Sequence, residues 1–197
     1  VMLLSFTNTY RTLAELKQKE LRLGGLRLNP DTRISTSVNY VINVKIRKVK
    51  ESASEPVQVT GLPENPKMSN FSWSPDDSKI AFTNTTERGV ELWVIDVLTA
   101  AASRMSGASL NCSLGDPYIW YADSRKMLVK MVSPDLPALK DNSSNLPEGP
   151  VVSVSGGKVS QNRTYQDLLK NRTDERNFET LVTSHLKTVT LTGETLP

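Results

Sequence analysis

The sequence predicts an all-β fold, a partial β-propeller of about three four-stranded blades with a short helical insertion near residues 164–182. Three observations predict it. A Pro-Asp turn sits between alternating apolar runs, that unit recurs along the chain, and one late segment switches from a period of two to a helical period. The clearest copy is NFSWSPDDSKIAF, Asn70 to Phe82. Phe71 and Trp73 alternate with Ser72 and Ser74, giving a strand with one apolar face. Pro75 fixes φ for the turn, Asp76 and Asp77 can bond its backbone, and Ile80 and Phe82 return along the same face.

The unit appears again on either side. LRLNPDTRI sets Leu26 and Leu28 before Pro30 and Asp31, and YIWYADSRKMLV sets Trp120 before Ala122 and Asp123. The offsets are 45 residues from Pro30 to Pro75 and 47 from Trp73 to Trp120. A repeat of that length suits one four-stranded blade. In the middle copy VELWVIDV supplies a third strand whose near-continuous hydrophobicity predicts burial on both faces. Asp96 and Thr99 make the next turn and SRMSG the outer strand. In the first copy Ile34 to Val38, YVINVKIRKV and PVQVTGLP play the same parts, with Pro56 and Pro63 bracketing an outer strand where a missing N–H is tolerated. The blade-like repeats expected are 1–62, 63–112 and 113–197. A β-sandwich whose hairpins share a spacing is the alternative architecture.

The third copy is interrupted. After Val132 comes SPDLPALKDNSSNLPEGP, a surface loop by composition, and then VVSVSGGKVS, a hairpin. Tyr165, Leu168 and Leu169 lie at helical spacing behind Thr164, with Asp167 completing a near capping box. A second helix is expected from near Thr173, with Asp174 and Glu175 in its first turn where the dipole favours acids. LKTVTLTGE returns to a strand and turn.

Composition narrows the function classes. The 197 residues are 38% hydrophobic and 23% charged, an ordinary globular balance, with a net charge of +3 and a pI near 9.0. Lys45, Arg47, Lys48 and Lys50 alternate with Val44, Ile46 and Val49, which reads as the solvated face of a strand and argues against a nucleic-acid surface. Cys112 is the single cysteine, so no intrachain disulfide forms. No apolar run approaches the roughly 20 residues that cross a bilayer. VMLLSF is too short for a secretory signal, and a start at Val inside a strand-like run is expected of a piece of something longer.

Catalytic chemistry is not expected of this chain alone. A hydrolase nucleophile on a Gly-x-Ser-x-Gly elbow needs two glycines four residues apart, and the ten glycines include no such pair. His185, the only histidine, reads as a strand-edge residue, and one His with one Cys makes no zinc site. In SGGKV, Val159 follows Lys158 and the leading glycine is absent, so a hairpin turn is expected rather than a phosphate loop. No cofactor and no metal is expected. Asn-x-Ser/Thr triplets, among them Asn70, Asn84, Asn142, Asn162 and Asn171, would accept glycans only in a eukaryotic secretory setting, and Asn70 is awkward for one at the start of a strand.

LRLGGLRLNPDTR, FSWSPDDSKIAFTNTTERGVELWVIDV, SNLPEGPVV and RTYQDLLKNRTDERNFE together resemble the amino-terminal propeller of the prolyl oligopeptidase family of serine peptidases. Within it they are most similar to the glutamyl endopeptidase and dipeptidyl-aminopeptidase-like members of Bacteroidetes and plant chloroplasts. The resemblance covers nearly the whole chain. WSPDDSKIAF occurs in many propellers, TolB included, whereas RTYQDLLKNRTDE behind LPEGP is more specific. The resemblance implies a non-catalytic fragment of a propeller that gates and orients peptides for an α/β-hydrolase domain absent from this chain. It implies peptide substrates and that hydrolase domain as partners, with self-association through exposed blade edges, and a periplasmic or secreted location, or alternatively chloroplast stroma or cytoplasm. Acidic residues on a helical insert hold a peptide amino terminus in the dipeptidyl peptidases, which points to Asp174 and Glu175. Arg163 or Arg172 could supply the cation for an acidic side chain. The competing readings are a solvated helix face for all four residues and a stand-alone TolB-like interaction module for the chain.

Overall fold

A computed structural model describes residues 1–49, 55–141 and 167–196. The described chain is mostly β. It begins with β1 (Met2–Thr7), the single-turn α1 (Leu13–Leu16), β2 (Leu21–Leu23), β3 (Leu26–Asn29) and β4 (Ile34–Ser35). There follow β5 (Val41–Arg47), β6 (Val57–Gln58), β7 (Met68–Trp73), β8 (Lys79–Thr86), β9 (Gly89–Asp96) and β10 (Ala101–Arg104). The last stretch holds β11 (Tyr118–Trp120), β12 (Lys126–Met131), α2 (Arg172–Val182), β13 (His185–Thr190) and β14 (Thr195–Leu196).

Two antiparallel meanders carry the repeat. One runs β7-β8-β9-β10 and the other β11-β12-β13-β14, with α2 and the segment before it inserted between the second and third strands of the latter. Their first hairpins close in the same way at a 47-residue offset. Ser74 N donates to Lys79 O at 2.9 Å and Asp77 N to Ser74 O at 2.9 Å; Tyr121 N donates to Lys126 O at 3.0 Å and Ser124 N to Tyr121 O at 3.0 Å. Asp77 and Ser124 are both left-handed, φ 57° and 56°. Short polar side chains tolerate that conformation because they bond locally. The neighbouring Asp76 braces the turn: its carboxylate accepts from the Ser74 hydroxyl at 2.7 Å and from Ser78 N at 3.0 Å, and these bonds hold it well below the usual carboxylate range.

The middle meander is buried on both faces. Val90, Leu92 and Val94 of β9, with Ala81 of β8, pack against Tyr118, Met127, Val129 and Val189 of the last meander. Ile80, Phe82 and Ile95 face the other way, against Val44 and Ile46 of β5 and Met68 of β7. Phe82 is fully buried and stacks between Phe71 at 5.3 Å and Trp93 at 6.2 Å. The two-sided burial expected of VELWVIDV is therefore observed. Polar bonds fix the meanders against each other at one repeated separation: the Tyr118 hydroxyl donates to Asn70 O, Trp120 Nε1 to Ser72 O at 3.3 Å, and Asp76 N to Ser124 Oγ at 3.1 Å, each across 48 residues. Asn70 sits left-handed in a bulge of β7, φ 51°, with its amide donating to Thr83 Oγ1 at 2.9 Å.

The amino-terminal third is laid out differently. The identical LRL triplets either side of Gly24 and Gly25 pair with each other as β2 and β3, and both glycines take the positive φ, 58° and 80°, of a two-residue hairpin turn. β4 completes a three-stranded sheet, while β5 pairs with β1 and β6 and meets β7 only at Val41 and Met68. Lys45 and Arg47 on β5 are half-buried, Lys45 Nζ lying 5.7 Å above the Phe6 ring. The expected outer strand of this third pairs with β5 as β6 and then bridges to the middle meander, Thr60 N donating to Ala100 O at 2.9 Å and Ala102 N to Thr60 O at 2.8 Å. Outer strand β10 begins two residues before the predicted SRMSG. Of the first predicted helix, residues 164–166 lie outside the described residues, as does the VVSVSGGKVS hairpin, and 168–170 are not helical. No helix among the described residues is long and apolar enough to cross a membrane.

Asp96 gives this fold a pH signature. Lys79 Nζ donates to Asp96 Oδ2 at 2.9 Å and Thr99 N to its Oδ1 at 2.9 Å, and these bonds lower its pKa to about 2. A depressed folded-state pKa means stability that is present above the unfolded value, about 3.9, and is lost as pH falls through about 2. Asp96→Asn keeps the acceptor for Thr99 N but removes the ion pair, so thermal denaturation followed between those pH values is expected to depend less steeply on pH in the variant than in the parent.

Candidate functional site

α2 is the element on which the sequence placed its candidate binding residues, and its ends and inner face fix where they lie. Asn171 caps the helix, its side-chain oxygen accepting from Thr173 N and Asp174 N, both at 2.9 Å. Asp174 turns back across the cap and accepts from Lys170 N at 2.9 Å, so its carboxylate serves the helix start. Arg172 and Glu175 are exposed in the first turn. The fold therefore brings Arg172, Asp174 and Glu175 to one helix end, with Asp174 engaged in capping. Arg163 lies outside the described residues.

The inner face anchors the insert to a distant part of the chain. Phe178 and the fully buried Leu181 pack on Leu23 and Leu28 of the β2–β3 hairpin. That close approach is where the tight glycine turn matters: a Cβ on Gly24 would stand 3.0 Å from Phe178 Cε2. Asn177, also buried, holds the preceding loop by a reciprocal pair, accepting from Lys140 N at 2.9 Å and donating to Lys140 O at 2.8 Å. At the carboxyl end, where the last carbonyls of a helix lack intrahelical donors, Asn111 Nδ2 donates to Leu181 O at 2.8 Å and Thr183 O at 2.9 Å, and Arg33 Nη1 donates to Thr180 O at 2.8 Å.

Arg33 and Asn111 were not singled out by sequence. Arg33 ends the first Pro-Asp turn and Asn111 lies in the connection between meanders; nothing in their neighbourhood signals a helix some 70 or more residues later. Glu91, a charged residue inside the run expected to be buried on both faces, was also missed. It is 8% exposed, accepting from Trp93 Nε1 at 2.8 Å and Asn84 Nδ2 at 3.3 Å, with Arg104 Nη1 at 3.2 Å. Such a satisfied carboxylate is a structural polar cluster.

Cys112 is buried in the core and burial pushes its thiol up to about 12, far from the thiolate a nucleophile needs. His185 is exposed at the first position of β13, opposite Met131. Among the described residues no group of His, Cys, Asp and Glu could hold a metal ion.

No protein-family model matches the sequence. A protein of Oryza sativa subsp. japonica named probable glutamyl endopeptidase, chloroplastic, is 26% identical over 198 residues, covering 94% of this chain and 21% of its own length. The protein of the same name from Arabidopsis thaliana is 27% identical over 192 residues, covering 92% and 20%. The chain thus spans about a fifth of the length of the curated relatives it matches. Among solved structures, TolB from Acinetobacter baumannii aligns with 48% of this chain and 22% of its own at 21% identity and a TM-score of 0.34. Pyrococcus horikoshii acylaminoacyl peptidase aligns with 56% and 15% at 18% identity and a TM-score of 0.34.

Truncating either anchor should loosen the insert. Leu181→Ala is expected to lower unfolding stability by about 2–5 kcal/mol from lost burial and the cavity left behind. Asn111→Ala, which strands two helix-end carbonyls, is expected to cost about 1–3 kcal/mol. Chemical denaturation of the purified chain measures both.

Proposed function

We propose that this chain is the amino-terminal propeller region of a serine peptidase of the prolyl oligopeptidase family, non-catalytic alone, that gates and orients peptides for a hydrolase domain elsewhere in the parent protein. The observation that carries the reading is the pair of four-stranded antiparallel meanders stacked face to face, with matching turns 47 residues apart and three bonds between them that each span 48. The sequence similarity to two proteins named as glutamyl endopeptidases, over nearly all of this chain and a fifth of theirs, supports the parent's class.

The free face of the last meander supports further repeats. Ile119 and Leu186 are 63% and 61% exposed there, and Leu128 occupies the place that Ala81 holds on the middle meander, where the last meander covers it. A following unit would cover this face in the same way; without one, it favours self-association. The names of the plant relatives agree with the chloroplast alternative for location.

On α2 the residues assigned to peptide orientation are Arg172, for an acidic side chain, and Asp174 and Glu175, for a free amino group, Asp174 also accepting from Lys170 N at the cap. Arg163 belongs to the same proposal. A fluorophosphonate probe should label the full-length parent and leave this chain at background; labelling of the isolated chain would sink the reading. In the parent, Arg172→Glu is expected to lower kcat/KM on acidic peptides by roughly tenfold relative to neutral ones, and an unchanged ratio would remove Arg172 from the role.

A further inference from the structure

Where the connecting turns of the three sheets converge there is a cavity of about 260 Å³. Its walls include Thr32 and Arg33 from the first turn, Arg88 from the β8–β9 turn, Ser109 from the connection after β10, and Ser133 after β12. The volume lies just under the range of about 300–1,000 Å³ that takes drug-sized ligands, so it suits one or two peptide residues or a single small acid.

Three polar groups on this cavity are incompletely satisfied. Arg33 is half-buried; among the described residues its guanidinium meets only the carbonyls of Thr180 and Leu181 and no carboxylate pairs with it, and burial pulls its pKa down. A buried cation without a counter-charge is costly. Arg88 is exposed at the rim and has no ion pair among the described residues. Thr32 is 8% exposed, and its buried hydroxyl has no hydrogen-bond partner among the described residues. Asp31 shares the rim but is paired with Lys19 at 3.0 Å.

The geometry points to a carboxylate-binding site in this cavity, in which a carboxylate of a peptide sits between the guanidinium groups of Arg33 and Arg88 with the Thr32 hydroxyl as a further donor. A carboxylate is the acceptor-only group that two guanidinium forks and a hydroxyl match, and it supplies the counter-charge that Arg33 lacks. The apolar side chains of Leu110 and Val132 on the same wall suit the carbon stem that carries it. This site does not depend on the peptide-orienting role of α2. Arg172 lies eight residues before the Thr180 carbonyl that Arg33 holds, roughly 12 Å along the helix.

The test uses the 197-residue chain and three probe peptides in titration calorimetry. They are N-acetyl-Ala-Glu-Ala amide, with a side-chain carboxylate; N-acetyl-Ala-Ala-Ala, with a free C-terminal one; and N-acetyl-Ala-Gln-Ala amide, with none. At least one carboxylate peptide should bind saturably and about tenfold more tightly than the neutral one, and the stronger of the two identifies the source of the group. Arg88→Gln, which breaks no bond in the fold, should weaken that binding by about tenfold while the thermal midpoint stays unchanged. Arg33→Met should abolish it; if that variant does not fold, Arg88→Gln alone decides. Equal binding of the neutral peptide, or undiminished binding by Arg88→Gln, overturns the proposal.

Discussion

The structure depends on the burial of β8 and β9 from both sides. These two strands send alternate side chains into two separate cores, Phe82 and Ile95 into one and Leu92 and Val94 into the other. A slip of one residue in their pairing would exchange the two sets, placing side chains sized for one core in the other, so the register Phe82 opposite Trp93 and Ala81 opposite Val94 is strongly specified. β5, joined to β7 in the same sheet by the Val41–Met68 pair, and the separate last meander both lean on these strands. β5 uses them to bury Val44 and Ile46, and the last meander uses them to bury Met127 and Val129.

The second constraint is the bridge that α2 makes. The helix is inserted in the last meander, yet its apolar face lies on the β2–β3 hairpin near the other end of the sequence, and its final carbonyls are closed by Arg33 and Asn111. The insert thus ties the first sheet to the last. Leaving those carbonyls unbonded in a buried setting would cost more than the net worth of each bond, which is why two polar side chains from distant segments converge there. Arg33 consequently has two duties, one toward the helix and one toward the cavity.

Much of this was legible in the sequence where the signal is local. The Pro-Asp turn, its copy at Ala122 and Asp123, the two-sided burial of VELWVIDV and the helix start near Thr173 all follow from alternation, turn chemistry and capping, which act within a few residues. The doubled LRL around Gly24 and Gly25 carries an equally local hairpin signal, two glycines between matched apolar runs. What the sequence could not reveal is long-range pairing. Nothing near Val41 says that β5 will pair with β1 rather than β4, and nothing near Arg33 or Asn111 names a helix end as their partner. For the site, residue types were readable but engagement was not: nothing in the sequence says that the Asp174 carboxylate accepts from Lys170 N.

Amide hydrogen exchange of the native chain tests the central claim most directly. If β8 and β9 form the shared core of the whole arrangement, their amides should exchange slowest and together, at the rate of global unfolding, while the edge strands β6, β10 and β14 exchange earlier through local opening. If β8 and β9 exchanged as fast as those edges, the two faces would not be buried as described, and the account of stacked sheets around a common middle would be contradicted.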